Sequence, residues 1–305
     1  MPALEALSQS QHQIAAVVTG EDKPSGRGQK VRPTPVKLKA QELGLTVLSP
    51  KSLKSDELYD RLKAIKPDLI VLIAFRILPE RLFGLPKFGA TNIHSSLLPK
   101  YRGAAPIHWA IINGEKETGL TSFFLKKKVD TGDLILQEKI RIGANDTYDS
   151  LASRMAEMAG PFLLKTIDLI DSGNVKPLKQ DEQLASPAPK LTAENCLVDF
   201  GFPAVNVHNF IRGLSTTPGA CTFFRDQKIK LYQSRLPENE LNCAGDSGAI
   251  IPDKARLLIK CAQSVIELLE VVPEGRSAMD GRSFVNGFRP HKGEMFGKAV
   301  KAMKG

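Results

Sequence analysis

A run of six consecutive apolar residues at positions 69–74 constrains the fold of this chain more than any other feature. A strand without polar alternation is covered on both faces, and such strands belong to parallel sheets packed between helices. A second apolar run at residues 14–18 predicts another strand, and residues 55–65 between them carry apolar side chains at helical spacing. The alternation predicts a doubly wound α/β layer in which both faces of strand 69–74 are buried.

Further elements follow the same logic. Strands are predicted at residues 119–125 and 134–140, around a turn, and a helix at residues 149–170. A polar segment at residues 176–190, rich in serine and proline, predicts an extended linker. Beyond a helix predicted at 204–214, strand candidates alternate with turn residues, at 220–224, 229–233, 248–252, 256–260 and 265–271. We therefore expect an α/β domain over 1–175, a linker over 176–190 and a small OB-like β-barrel over 191–305.

Net charge, apolar run length and cysteine spacing indicate what kind of partner the chain binds and where in the cell it works. Lysine and arginine exceed aspartate and glutamate by 42 to 33, a net charge of +9, which suits a polyanionic partner. No apolar run approaches the roughly 20 residues that cross a bilayer, so we expect a cytoplasmic protein with no membrane contact. The sequence has four widely spaced cysteines and no C-x-x-C pair: Cys196, Cys221, Cys243 and Cys261. This spacing predicts reduced thiols and neither a zinc site nor another bound metal.

Three polar residues stand out as catalytic candidates. Asn92 and His94 lie two apart on a predicted strand, so they share a face. Asp130 lies on the turn between the strands predicted at 119–125 and 134–140. An amide, an imidazole and a carboxylate supply the hydrogen-bond donors and the proton acceptor that acyl transfer to an amine requires. Taken singly, Asn92 and His94 also fit a capped strand end with a packed histidine, and Asp130 fits a turn-capping carboxylate.

The run NIHSSLLPKYRGAAPI at residues 92–107, followed by VDTGD at 129–133, resembles the active-site signature of the folate-dependent formyltransferases. That resemblance implies a Rossmann-like domain that takes a formyl group from 10-formyltetrahydrofolate. It implies that Asn92 and His94 donate hydrogen bonds to the formyl oxygen, and that Asp130 orients His94 or accepts the amine's proton. It also implies folate contacts along one turn and one loop, made by Ser96, Leu97, Leu98, Pro99, Phe75 and Ile77.

Two other segments indicate the acceptor. Residues 22–37, DKPSGRGQKVRPTPVK, resemble the inserted basic loop of the branch of this family that formylates initiator methionyl-tRNA. Residues 211–214 and 273–279 are similar to the C-terminal OB-like domain of that branch. The resemblance implies a monomer whose acceptor is initiator methionyl-tRNA, bound in part by Lys23, Arg27, Lys30 and Arg32. Formylation of another amine, or hydrolysis of the folate, is the alternative enzymatic interpretation.

The amino-terminal end departs from the family pattern. The family opens with a strand that ends in a Gly-Thr-Pro turn, ahead of the helix that carries the equivalents of Leu4 to Ser8, and this sequence starts after that turn. Because the first strand is central in a doubly wound sheet, its absence predicts unpaired ladder groups on two neighbours. We interpret Met1 as an internal start assigned too far downstream, and the alternative is a truncated, inactive RNA-binding remnant.

Overall fold

A computed structural model describes residues 1–25, 30–238, 244–251, 253 and 255–297 of the chain. Its contacts divide the chain into two compact units. The first comprises Met1–Gly103, Gly119–Ile140 and Ser153–Pro187, and the second comprises Ala104–Thr118, Arg141–Ala152 and Ala188–Gly305. Among the described helices, none is long and apolar enough to cross a membrane.

The described helices and strands follow in chain order. The α-helices are α1 (Pro2–Ser8), α2 (Pro35–Glu42), α3 (Asp56–Ile65), α4 (Glu80–Phe83), α5 (Pro106–Ile112), α6 (Tyr148–Asp171), α7 (Ala204–Leu214) and α8 (Gly281–Phe288). The strands are β1 (Val17–Val18), β2 (Lys23–Ser25), β3 (Lys30–Arg32), β4 (Val47–Leu48), β5 (Ile70–Ile73), β6 (Ala90–His94), β7 (Arg102–Gly103), β8 (Glu117–Phe124), β9 (Leu134–Arg141), β10 (Pro187–Ala188), β11 (Ala220–Phe224), β12 (Gln227–Arg235), β13 (Ile250–Ile251), β14 (Leu257–Lys260), β15 (Val265–Pro273) and β16 (Met279–Asp280).

The main sheet of the first unit has the order β5-β6-β8-β9. Strands β5 and β6 are parallel, whereas β6 and β8 are antiparallel. The α/β class is confirmed, but the prediction that both faces of strand 69–74 are buried is wrong, because Ile73 is 40% exposed. Ile73 is exposed because β5 is the terminal strand of its sheet. A local run of apolar residues does not indicate which strand will lie at the edge of a sheet.

A second, two-stranded parallel sheet is formed by β1 and β4, with Val17 paired to Val47. Within the described ranges, β1 pairs with β4 alone and β5 pairs with β6 alone. Among the described residues, each of these two strands therefore carries a hydrogen-bonded ladder on one side only.

Helix α3 illustrates why local signals are reliable in this unit. The Ser55 hydroxyl accepts a hydrogen bond from the Leu58 amide at 3.4 Å, which caps the amino end. Leu58 and Leu62 are buried in the cluster that packs on β5. The helix ends where Lys66 adopts a left-handed backbone with φ 50°. The predicted helix at 149–170 is also confirmed, as α6.

The second unit contains an antiparallel sheet of order β11-β12-β15-β14-β13, with β16 added beside β15. Helix α7 and strand β11 have the predicted bounds, and the other predicted strands agree with β12 to β15 within a few residues. The fold is an open half-barrel around an apolar core, as expected for an OB-like unit. Cys196, Cys221 and Cys261 are buried free thiols, and Cys243 lies outside the described residues. Burial raises the pKa of Cys261 to about 12.

Candidate active site

Strand β6 presents the two strand-borne candidates. It lies between β5 and β8, and Asn92 is opposite Leu72 on one side and Phe123 on the other. Because side chains alternate along a strand, Asn92 and His94 point to the same face, with their Cα atoms roughly 6.5–7 Å apart. Asn92 is half-buried and His94 is buried. The sheet thus places both groups on rigid backbone.

The imidazole of His94 has one committed and one open nitrogen. Its Nε2 lies 2.8 Å from the carbonyl oxygen of Tyr101. A carbonyl oxygen only accepts, so Nε2 carries the hydrogen. The other nitrogen, Nδ1, lies 3.8 Å from Oδ2 of Asp130. Nδ1 therefore accepts in the neutral ring and donates only in the protonated ring, whose charge would face the Asp130 carboxylate.

Asp130 reaches the site from the loop between β8 and β9. Its Oδ2 accepts a hydrogen bond from the Gly103 amide at 2.9 Å, and its side chain is 8% exposed. Among the described residues, Oδ1 has no hydrogen-bond partner. The residue has φ 54°, a left-handed backbone that non-glycine residues adopt only when their surroundings hold it.

The loop around Asp130 leaves no room for a side chain at Gly132. A Cβ atom there would lie 1.5 Å from the carbonyl oxygen of Phe124. The Thr131 hydroxyl donates to the carbonyl oxygen of Lys128 at 2.8 Å. Glycine at position 132 is thus required for the close approach of this loop to the Phe124 carbonyl group.

Asn92 completes the group. Its side-chain amide makes no hydrogen bond to another described residue. A half-buried amide without a protein partner is available to a ligand. The site therefore offers an unpaired amide donor, an imidazole with one open nitrogen and a carboxylate with one open oxygen, which together suit acyl transfer to an amine.

The turn predicted to contact folate is largely committed to the protein itself. The amide of Leu98 donates to the Thr121 hydroxyl at 3.1 Å, and its carbonyl oxygen accepts from Gln137. Ser96 is fully buried, and its hydroxyl donates to the carbonyl oxygen of Lys100. The Leu98 amide and carbonyl oxygen thus have partners within the fold, and folate contacts of Ser96 and Leu98 stay predictions. Leu97 and Pro99 are partly exposed and stay predictions.

The loop after β5 provides apolar surface beside the same edge of the sheet. Because β5 and β6 are parallel, their carboxyl ends lie together, and residues 74–78 leave that edge near His94. Ile77 is 75% exposed. Phe75 is half-buried, with the Arg76 guanidinium 5.5 Å from its ring centre. The exposed side chain of Ile77 and the partly covered ring of Phe75 therefore provide apolar surface for contact with a flat ligand.

The basic segment is described in part. Strands β2 and β3 form an antiparallel pair in which Lys23 is opposite Arg32, and both side chains are exposed. Only the backbone of Lys30 is described, in β3. Arg27 lies outside the described residues, so its predicted contact with tRNA stays a prediction from sequence.

Sequence reasoning missed the contribution of residues 178–186, which we call the strap. The amide of Leu178 donates to the carbonyl oxygen of Leu134, and that of Leu134 donates back to Leu178. Ser186 accepts from the Tyr101 amide through its hydroxyl at 2.9 Å, and from the Arg102 amide through its carbonyl oxygen at 2.8 Å. Polar composition alone gave no signal that the segment is bonded to the loops of the site.

No metal centre emerges from the described residues, since no group of three or more His, Cys, Asp or Glu side chains is placed to hold an ion. Cavities of about 300 and 380 Å³ lie in the second unit, and none of the predicted site residues lines them. His108 stacks on Tyr148, with ring centres 3.7 Å apart, and its Nδ1 donates to the carbonyl oxygen of Gly213. That histidine is therefore committed to packing.

Comparison with known proteins identifies the family. Residues 2–167 match the formyl transferase family, and residues 190–289 match the formyl transferase C-terminal domain. The chain is 43% identical over 298 residues to the methionyl-tRNA formyltransferase of Porphyromonas gingivalis, covering 94% of this chain and 92% of that relative. It is 41% identical over 295 residues to that of Chlorobium limicola, covering 95% and 93%.

Among solved structures, the sugar 3N-formyl transferase WlaRD superposes with a TM-score of 0.65. The match covers 90% of this chain and 94% of that one at 20% identity, which shows a common fold. Identity above 40% along nearly the whole chain is more specific than this common fold. The chain therefore belongs to the methionyl-tRNA formyltransferase family.

Proposed function

We propose that this chain transfers the formyl group of 10-formyltetrahydrofolate to the amino group of initiator methionyl-tRNA. The observation that carries the proposal is the pairing of His94 and Asp130, whose Nδ1 and Oδ2 atoms are 3.8 Å apart beside the strand that presents Asn92. The relatives that match along nearly the whole chain are methionyl-tRNA formyltransferases, and this supports the same activity here.

The residues present fit the folate. Ile77 offers an exposed apolar side chain at the sheet edge where β6 ends, and the unpaired Asn92 amide lies on that strand. Bound 10-formyltetrahydrofolate supplies the formyl carbon that the amine attacks. Phe75, Ile77, Leu97 and Pro99 are the residues that we assign to holding its ring system.

Asn92 and His94 stabilise the negative charge that develops on the formyl oxygen. The Asn92 amide donates one hydrogen bond, and Nδ1 of protonated His94 donates the other. Tyr101 holds the ring through Nε2, so the direction of Nδ1 is fixed before the substrates arrive. A donor fixed in advance at such an oxygen contributes about 2.7–4 kcal/mol in comparable acyl-transfer sites.

Asp130 accepts the proton that the amine loses as it bonds to the formyl carbon. The bond from that carbon to the folate nitrogen then breaks, and tetrahydrofolate leaves with a proton returned to that nitrogen. Its Oδ2 is held by the Gly103 amide, which leaves Oδ1 as the open oxygen. The carboxylate also faces Nδ1 of His94, so the same group lies beside the hydrogen-bond donor and removes the proton. Gly132 permits the close approach of the loop that carries Asp130 to the Phe124 carbonyl group.

The acceptor is recognised through positive charge. Lys23, Arg27, Lys30 and Arg32 belong to one basic segment, and they would contact phosphates or base edges of the tRNA acceptor arm. We assign residues 191–305, which belong to the second unit, a further part in tRNA binding. We also propose that the protein acts as a monomer in the cytoplasm, where charged initiator tRNA is available.

The test is transfer of labelled formyl from 10-formyltetrahydrofolate to methionyl-tRNA. Asp130→Asn should lower kcat by roughly 10²–10⁴-fold, because it removes the proton acceptor while keeping the shape. The matched control is Asp133→Asn on the same loop, whose carboxylate pairs with Lys126 at 2.7 Å, and it should keep near wild-type rates. Transfer to a small amine in preference to methionyl-tRNA, or hydrolysis of the folate without an acceptor, would contradict the proposal.

A further inference from the structure

Gln180 of the strap contacts both loops that form the site. Its Nε2 donates to the carbonyl oxygens of Asp130 at 3.0 Å and Gly132 at 2.8 Å. Its Oε1 accepts from Arg102, at 2.7 Å from Nη2 and 3.1 Å from Nε. Carbonyls only accept and guanidinium groups only donate, so these partners fix which way the amide points. Both donors and both acceptor positions of the amide are used.

The position of Gln180 in the chain sets it apart from its neighbours. Lys179 and Asp181 are exposed, whereas Gln180 is partly buried and turned toward the catalytic loop. The backbone that it supports is the left-handed one of Asp130 at φ 54°. A strained backbone of this kind persists when surrounding bonds hold it, and the Gln180 amide bonds the carbonyl group of that residue.

A second path leads from Gln180 to the carboxylate. Arg102 is anchored by Gln180 and forms an ion pair with Glu182 at 2.8 Å. The next residue, Gly103, donates its amide hydrogen to Oδ2 of Asp130 at 2.9 Å. Gln180 therefore bonds directly to the main chain of Asp130. It is also linked to the side chain of Asp130 through Arg102 and the Gly103 amide. The hydrogen bonds close a ring around the proton acceptor.

We infer that Gln180 is the positioning residue that aims the carboxylate of Asp130 at His94 and the incoming amine. The inference rests on the proposed function, because that function gives Asp130 its role. Gln180 touches neither substrate. Its effect belongs to the rate of the transfer step and is transmitted through Asp130.

The variant that separates positioning from anchoring is Gln180→Glu. Glutamate keeps the size and the contact with Arg102, but it replaces the Nε2 donor with an oxygen that faces two carbonyl oxygens. We expect kcat to fall roughly 10²-fold, the cost of a displacement of about 1 Å at a reacting group, with KM for either substrate within about 3-fold. Gln183→Glu makes the same charge change at an exposed position of the strap and should keep wild-type kcat.

A double-mutant cycle supplies the readout that a general loss of structure would not give. If Gln180 acts through Asp130, adding Gln180→Glu to Asp130→Ala should cause no further loss of kcat. Multiplicative losses would overturn the inference, as would a Gln180→Glu enzyme with wild-type kcat. Should Gln180→Glu fail to fold, Gln180→Leu repeats the cycle without the added charge.

The exchange rate of the Gly103 amide tests the positioning without any activity measurement. Because that amide donates to Asp130, displacement of the carboxylate should raise its exchange at least about 10-fold in Gln180→Glu and leave it unchanged in Gln183→Glu. An unchanged Gly103 amide in Gln180→Glu would overturn the inference. An inactive wild-type protein would instead contradict the proposed function, while the amide exchange would still decide the role of Gln180.

Discussion

His94 donates its Nε2 hydrogen to the carbonyl oxygen of Tyr101, 2.8 Å away. This one bond decides which ring nitrogen is left for chemistry, because it commits Nε2 and turns Nδ1 toward Asp130. The sequence predicted only that His94 supplies a ring N–H. Since Nε2 is already bonded to Tyr101, the N–H available to a substrate is that of Nδ1, which carries a hydrogen only in the protonated ring.

Substitutions at His94 should separate rate from stability. In His94→Gln the side-chain amide can still reach the Tyr101 carbonyl, whereas His94→Ala removes the buried imidazole together with its hydrogen bond to that carbonyl. We expect both variants to lose roughly 10²–10⁴-fold in kcat, and His94→Ala alone to lose about 1–3 kcal/mol in free energy of unfolding. Urea unfolding and formyl-transfer assays measure the two effects. Equal stability losses in both variants would contradict the assigned bond.

Asn92 should affect rate with little effect on folding. Its amide has no hydrogen-bond partner among the described residues, so Asn92→Ala leaves no protein group unpaired. We expect kcat to fall roughly 10²–10³-fold, the loss found when one donor to a developing oxyanion is removed. Asn92→Asp should be slower still, because it places a negative charge beside that oxygen. A thermal midpoint close to wild type, with KM little changed, completes the expected result.

Gly132→Ala should disturb the catalytic loop. The added Cβ would lie 1.5 Å from the Phe124 carbonyl oxygen and 2.7 Å from its carbon, so the backbone must move. We expect a loss of about 1–3 kcal/mol in stability together with a strong loss of activity. Gly20→Ala is the control, since nothing lies within 4 Å of a Cβ there. Wild-type activity in Gly132→Ala would mean that the loop tolerates the shift.

The basic segment should contribute to tRNA binding alone. Arg27→Ala should lower kcat/KM for methionyl-tRNA and leave the KM for 10-formyltetrahydrofolate unchanged. Losing one phosphate contact should also reduce the slope of log binding constant against log salt by about 1. Lys51→Ala removes the same charge from an exposed position outside the segment and serves as the control. Equal losses for folate and tRNA would contradict this assignment.

Acidification should weaken the second unit through His208. This histidine is 6% exposed, its Nδ1 lies 2.9 Å from the Ser234 hydroxyl, and burial lowers its pKa, with the charge of Arg212 adding to the effect. Because the folded pKa lies below the unfolded value of 6.5, the unfolded chain binds more protons in between. The stability is therefore complete above about pH 6.5 and is lost as the pH falls through the folded pKa.

Urea midpoints measured at about pH 8 and about pH 5.5 test this expectation. His208→Gln should reduce the difference between the two midpoints. Asn206→Ala, at an exposed position of α7, should keep the wild-type difference. An identical pH dependence in His208→Gln and wild type would assign the effect to other groups.

Local patterns predicted the elements better than the site. Helix α7 and strand β11 could be delimited from sequence because periodicity and turn residues lie within each element. The exposure of Ile73 could not, since it depends on which strand ends the sheet. The use of the Leu98 amide by Thr121 depends on a contact between residues 23 positions apart.

The catalytic candidates were identifiable as residue types, but the groups that hold them were not. Gln180 bonds Asp130 across 50 positions of sequence, and no periodicity relates the two. A polar stretch with serines and prolines has the same composition whether it is solvated or bonded along its length. Only the folded chain distinguishes these cases.

The strap also bears on how the protein can be cut. A protease that nicked the backbone between Leu178 and Ser186 would leave Asn92, His94 and Asp130 chemically intact. The hydrogen bonds by which the strap holds Asp130 would nevertheless lose their attachment on one side of the cut. A preparation that keeps every reactive side chain would then be inactive in the assay. Permuted termini or inserted tags in this stretch would carry the same risk.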